Sequence, residues 1–143
     1  MRRGLAACAL AALALLAAPR AGLAHGSHAG VIRGSVTFQM HCAGCHGLKG
    51  HGDGPRAADG LARPSDLTRI AERHGGRFER RDVAGWIAGP TRVDAHGDAD
   101  AQAWAAQGLR AGPAGPAEGD GGAGVSPRMK ELLDYLQHMQ TDR

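Results

Sequence analysis

Cys42, Ala43, Gly44, Cys45 and His46 place two thiols and an imidazole within five residues. Side chains three and four apart on a helical turn share a face. The two sulfurs therefore point the same way, at a separation matching two vinyl groups on one porphyrin edge. Each sulfur adds to one vinyl, and the adjacent imidazole turns beneath the ring to bind iron. The expected cofactor is one covalent haem c, attached through Cys42 and Cys45, with His46 as the proximal iron ligand. Two other chemistries use close cysteine pairs. A disulfide or redox pair leaves His46 without a task and expects a strand before it, and a zinc site needs a second close pair of ligands, which the chain lacks at a usable spacing.

The elements that must position this turn read as helices. Ile32, Val36 and Gln39 or Met40 recur at helical spacing, which predicts a first helix over 31–42 after a loose polar tail at 25–30. A second is predicted from Asp66, with Ser65 as cap after Pro64, Leu67, Ile70, Ala71 and His74 along one side, and Gly75 and Gly76 as its end. A short third piece over 82–88 carries Val83, Trp86 and Ile87 and stops at Gly89 and Pro90. The last helix is announced most fully: Ser126 caps it, Pro127 takes the first position, and Met129, Leu132, Leu133, Leu136 and Met139 repeat along one face. Residues 112–124 are Gly, Pro, Ala and acid without apolar period and read as a flexible surface loop. No run alternates as a strand does, so the expected fold is all-α, about four helices wrapped around one haem.

Export fits this chemistry, because haem of this kind is attached outside the cytoplasm. Arg2 and Arg3, an apolar run over 4–18, and the small residues Gly22 and Ala24 read as a signal peptide at 1–24, cleaved after about Ala24. The run is short for a membrane span, and Cys8 leaves with the signal. The predicted product is a periplasmic domain over 25–143, within the range of one ordinary domain. The formal charge of +3 disappears with Arg2, Arg3 and Arg20, so neither a basic surface nor an aromatic platform remains to suit a nucleic acid. Two Phe, two Trp and one Tyr are few for a core built from side chains alone. A large planar cofactor would supply the missing apolar surface.

With these residues in view, the chain resembles the class I c-type cytochromes over most of its mature length. Gly34, Phe38 and Cys42 match the family's first helix, and Leu132 and Tyr135 its last. The resemblance implies that these helices cross, with the glycine allowing close approach. His46, Gly47, Gly50, Gly52, Asp53, Gly54 and Pro55, then Pro64, Asp66, Leu67 and Thr68, resemble exported single-haem members. That likeness implies an electron carrier or electron-transfer subunit and not an enzyme. Its partners are redox proteins, such as a membrane-bound oxidoreductase, and no small-molecule substrate is expected. It also implies a proline carbonyl receiving the second ring N–H of His46, with Pro64 the first choice and Pro55 behind it.

One departure carries weight. The family normally brings a methionine to the far side of the iron, after a segment like His96 and Gly97 and before a tryptophan like Trp104. By that alignment it should stand at position 101, followed by proline, where this chain has Ala101 and Gln102. Three readings stay open: a vacant or water-filled site, His96, or Met129 or Met139 from the last helix. A vacant site would make the chain a haem-based binding or sensing module, with Gln102 as the polar group beside the ligand. A methionine ligand raises the reduction potential and a second histidine lowers it.

Overall fold

A computed structural model of the chain describes residues 27–59, 63–88, 96–111 and 124–140. The signal expected at 1–24, the helix stop at Gly89 and Pro90, and the loop expected at 112–124 up to residue 123 lie outside them. Six α-helices run through the described residues: α1 His28–His41, α2 Ala43–His46, α3 Ile70–Arg73, α4 Arg80–Ala88, α5 Asp98–Ala106 and α6 Pro127–His138. A 3-10 turn, Leu67–Arg69, leads into α3. There is no strand among the described residues, and the fold is all-α.

α1 begins earlier than its apolar spacing predicts. The Ser27 hydroxyl accepts from the Gly30 amide at 3.0 Å, and its carbonyl accepts from Val31 at 3.0 Å. These contacts satisfy amides that have no partner inside the helix, so His28 and its neighbours join the helix instead of trailing as a tail. Its buried side is not the one its apolar spacing marks but the one the family resemblance implies, with Gly34 and Phe38 facing the last helix. Ile32, Val36 and Met40 are exposed, whereas Gly30, Gly34, Thr37 and Phe38 are buried. The cause is the crossing with α6. A β-carbon at Gly34 would overlap the Glu131 carbonyl oxygen, so the helix must turn its smallest residue inward. Phe38 then meets Tyr135 with ring centres 5.3 Å apart, tilted by 53°, a favourable aromatic geometry.

α6 agrees closely with its sequence pattern. Ser126 accepts from the Met129 amide at 3.2 Å, and Met129, Leu132, Leu133 and Leu136 are buried. The same hydroxyl donates to the Gly108 carbonyl at 2.5 Å, and the Ser126 amide donates to Arg110 at 3.1 Å, which fixes the chain after α5 against the start of α6. α4 starts two residues before its predicted Asp82, because Arg80 clamps it to α6. The Arg80 guanidinium reaches Asp134 at 2.8 Å, the Lys130 carbonyl at 3.0 Å and Gln137 at 3.0 Å. α5 is an element that apolar spacing does not announce, since its nine residues are mostly alanine and acid.

The turn before α3 is capped by Asp66 instead of Ser65. Asp66 accepts from the Thr68 amide at 2.9 Å and the Thr68 hydroxyl at 2.6 Å. Gln140, just past α6, accepts from the Ala71 amide at 3.1 Å and donates to the Leu67 carbonyl at 2.7 Å. That single side chain ties the α3 region to the helix pair beneath it.

Candidate functional site

Cys42 ends α1 and opens α2 without a break in the hydrogen-bond ladder. Its amide donates to Phe38 at 2.8 Å, and the His46 amide donates to the Cys42 carbonyl at 2.9 Å. Cys42, Cys45 and His46 therefore sit on one helical turn, with both thiols free and half-buried. Burial, then the neighbouring Cys45 thiol, push Cys42 up to about 12. Such a thiol is protonated at neutral pH and unlike the acidified cysteine of a redox-active pair.

The chain leaving α2 holds that helix in place. The last carbonyls of a helix lack partners inside it, and here the next ten residues supply them. Gly52 donates to the His46 carbonyl at 2.8 Å, Gly54 to Cys45 at 3.1 Å, and Arg56 to Gly44 at 2.8 Å. Gly52 has φ +76°, and a β-carbon there would overlap the Pro64 carbonyl oxygen. Leu67 in turn donates to Gly50 at 2.7 Å. The structure gives these glycines the role of wrapping the chain over the carbonyls of the attachment turn.

The imidazole of His46 is oriented by a carbonyl, but not that of Pro64. Its Nδ1 lies 3.0 Å from the Ser65 carbonyl oxygen, one residue beyond the predicted acceptor. The Pro64 carbonyl is directed at the α-carbon of Gly52 instead, which leaves Ser65 as the carbonyl that faces the ring. A carbonyl only accepts, so Nδ1 carries the proton and Nε2 the lone pair. Burial lowers the pKa of His46; the Ser65 contact works against this and the nearby His96 adds to it. The neutral ring that results is the form that binds metal.

His96, just ahead of α5, is brought to the same place. Its Nδ1 lies 3.2 Å from the Trp86 carbonyl, and its ring packs edge-on against Trp104 with centres 5.1 Å apart. The His46 and His96 ring centres are 6.2 Å apart, inclined at 65°. Met129 and Met139 go elsewhere: Met129 is fully buried among the α6 leucines, and the Met139 methyl sits against Gly50. Met40 is exposed on α1, as is Gln102 on α5. Ser65 and Trp86 are the residues that sequence reasoning does not find, because each acts through a backbone carbonyl that any residue possesses.

Two free thiols and a neutral imidazole on one turn, with no hydrogen-bond partner for the imidazole Nε2 among the described residues, fit a covalently attached metalloporphyrin. Comparison with known families agrees: the family described as Cytochrome c matches residues 31–140, from the first turn of α1 to just beyond α6. No curated protein matches the sequence.

Proposed function

The chain belongs to the cytochrome c family, and from that premise we propose that it is an exported mono-haem carrier passing single electrons between protein partners. Members of this family bind covalent haem c, and this domain is a haem-based electron-transfer protein. The finer reading is that Cys42 and Cys45 form the two thioethers and His46 ligates the iron. It rests on one observation above the others: His46 is fixed through Nδ1 to Ser65 while its own turn carries both thiols.

Bound haem supplies a one-electron iron couple. The protein supplies the rest. The α2 turn sets both sulfurs and the imidazole on one face, the Ser65 carbonyl keeps Nε2 aimed and basic, and the hydrogen-bonded wrap over 47–56 keeps that turn from unwinding. Periplasmic location after cleavage near Ala24 and redox-protein partners, such as a membrane-bound oxidoreductase, belong to the same proposal, supported by the amino-terminal pattern and by the need for haem attachment outside the cytoplasm.

The test is expression in cells competent for haem c maturation, then denaturing electrophoresis and a redox titration. Haem that stays on the polypeptide after denaturation, with a single reversible one-electron wave, is expected. A colourless product, or haem released on denaturation, would overturn the reading.

A further inference from the structure

The geometry points to His96 as the sixth ligand of the iron, which makes this a bis-histidine haem. The assignment rests on the haem-carrier reading above and deepens it, because it concerns the same centre. An iron–imidazole bond of about 2 Å on each side, and a ring nitrogen roughly 1.1 Å from its ring centre, place two trans imidazoles with centres roughly 6.2 Å apart. His46 and His96 stand 6.2 Å apart. Trans ligands share the axis through the metal, so their planes differ only by rotation about it. Any interplanar angle is allowed by such a rotation, and the 65° between the two rings is compatible with it.

Separation alone does not decide, since two rings in direct edge contact fall in the same range. The hydrogen bonds do. His46 meets the Ser65 carbonyl and His96 the Trp86 carbonyl, each through Nδ1. Carbonyls fix the proton on Nδ1 in both rings, so both present a basic Nε2, and neither Nε2 has a hydrogen-bond partner among the described residues. Two rings packed only for contact have no reason to be locked in the same metal-binding tautomer. The competing donors are committed elsewhere: Met129 and Met139 are core residues, and Met40 is exposed on α1.

The assignment has three consequences. The iron is closed to small ligands, so electron exchange proceeds without ligand exchange. The potential lies below that of a histidine–methionine relative. Trp86 and Trp104 become positioning residues, one through its carbonyl and one through its ring contact.

The experiment uses the full holoprotein and compares wild type with His96→Ala, His96→Met and the double variant Met129→Leu, Met139→Leu. Wild type is expected to be low-spin in both oxidation states by absorption and EPR, without the sulfur-to-iron band of methionine ligation. Its ferrous form should react with carbon monoxide at least tenfold more slowly than that of His96→Ala. His96→Ala should turn high-spin and recover the low-spin spectrum with added imidazole. His96→Met should gain the sulfur-to-iron band and a higher potential, and the leucine double variant should match wild type. A high-spin wild type, prompt carbon monoxide binding by wild type, an unchanged spectrum in His96→Ala, or a changed one in the leucine variant would each overturn the assignment while covalent haem on the polypeptide left the carrier reading standing. Absence of covalent haem would instead sink the carrier reading itself.

Discussion

The two sides of the candidate haem site are built on different principles. On the proximal side, Cys42 to Arg56 is a closed hydrogen-bonded frame in which the carbonyls of Gly44, Cys45 and His46 each find an amide from the next loop, and Ser65 completes it by orienting the histidine. Among the described residues the distal side is sparser. There His96 meets one carbonyl and the Trp104 ring, and a β-carbon at neighbouring Gly97 would meet nothing within 4 Å. Covalent attachment at two sulfurs, as proposed, would tolerate no drift in their spacing, and the proximal backbone is held to match. A distal ligand needs only one nitrogen in one place.

The sharpest way to break this comparison is at the sulfurs. Replacing both Cys42 and Cys45 by alanine should abolish haem retention after denaturation, and Cys45→Ala alone should leave a single thioether, visible in the absorption of the pyridine adduct. Two thioethers surviving in Cys45→Ala would mean that the wrong sulfurs are assigned.

Next comes the frame. Gly52→Ala forces a side chain into left-handed backbone and against the Pro64 carbonyl, and should cost roughly 2–4 kcal/mol in denaturant unfolding. The matching distal change, Gly97→Ala, meets open space at φ −52° and should cost less than about 1 kcal/mol, the scale of a lost helix cap. Equal costs at the two glycines would erase the contrast between rigid and permissive sides.

The smallest effect is one of pH. Burial acts to raise the pKa of Asp66, but the hydrogen bonds from the Thr68 hydroxyl and amide, with His51 nearby, outweigh it and hold the carboxyl below the usual range. A folded value below the unfolded one gives stability that is present above about pH 4 and lost as pH falls through the folded value. Thr68→Val should flatten that acid limb of the stability curve by a few tenths of a kcal/mol. An unchanged limb would show that the cap contributes nothing measurable.

Much of this is legible in the order of residues alone. The attachment turn is a local pattern, since side chains three and four apart share a face whatever surrounds them. α6 is equally plain, because Ser126, Pro127 and five apolar residues act through spacing and local hydrogen bonds alone. Where residues act through contact with distant chain, local spacing misleads. The apolar period of α1 selects Ile32, Val36 and Met40 as the inner face, but Gly34 is turned inward by its crossing with α6, and no local period encodes that preference. α5, nearly all alanine and acid, has no apolar rhythm to read.

Composition and spacing by themselves determined that this chain is helical, sets two thiols on one turn and places an imidazole beside them, because each of those facts is fixed within a single turn of backbone. Tertiary structure decided which carbonyl orients that imidazole and which side chain stands opposite. Ser65 lies 19 residues from His46 along the chain and 3.0 Å from it in space, and His96 reaches it only when α4 and α5 fold back over the site. Hydrogen-bond acceptors on the backbone leave no trace in residue identity, so only the folded path of the chain could reveal them.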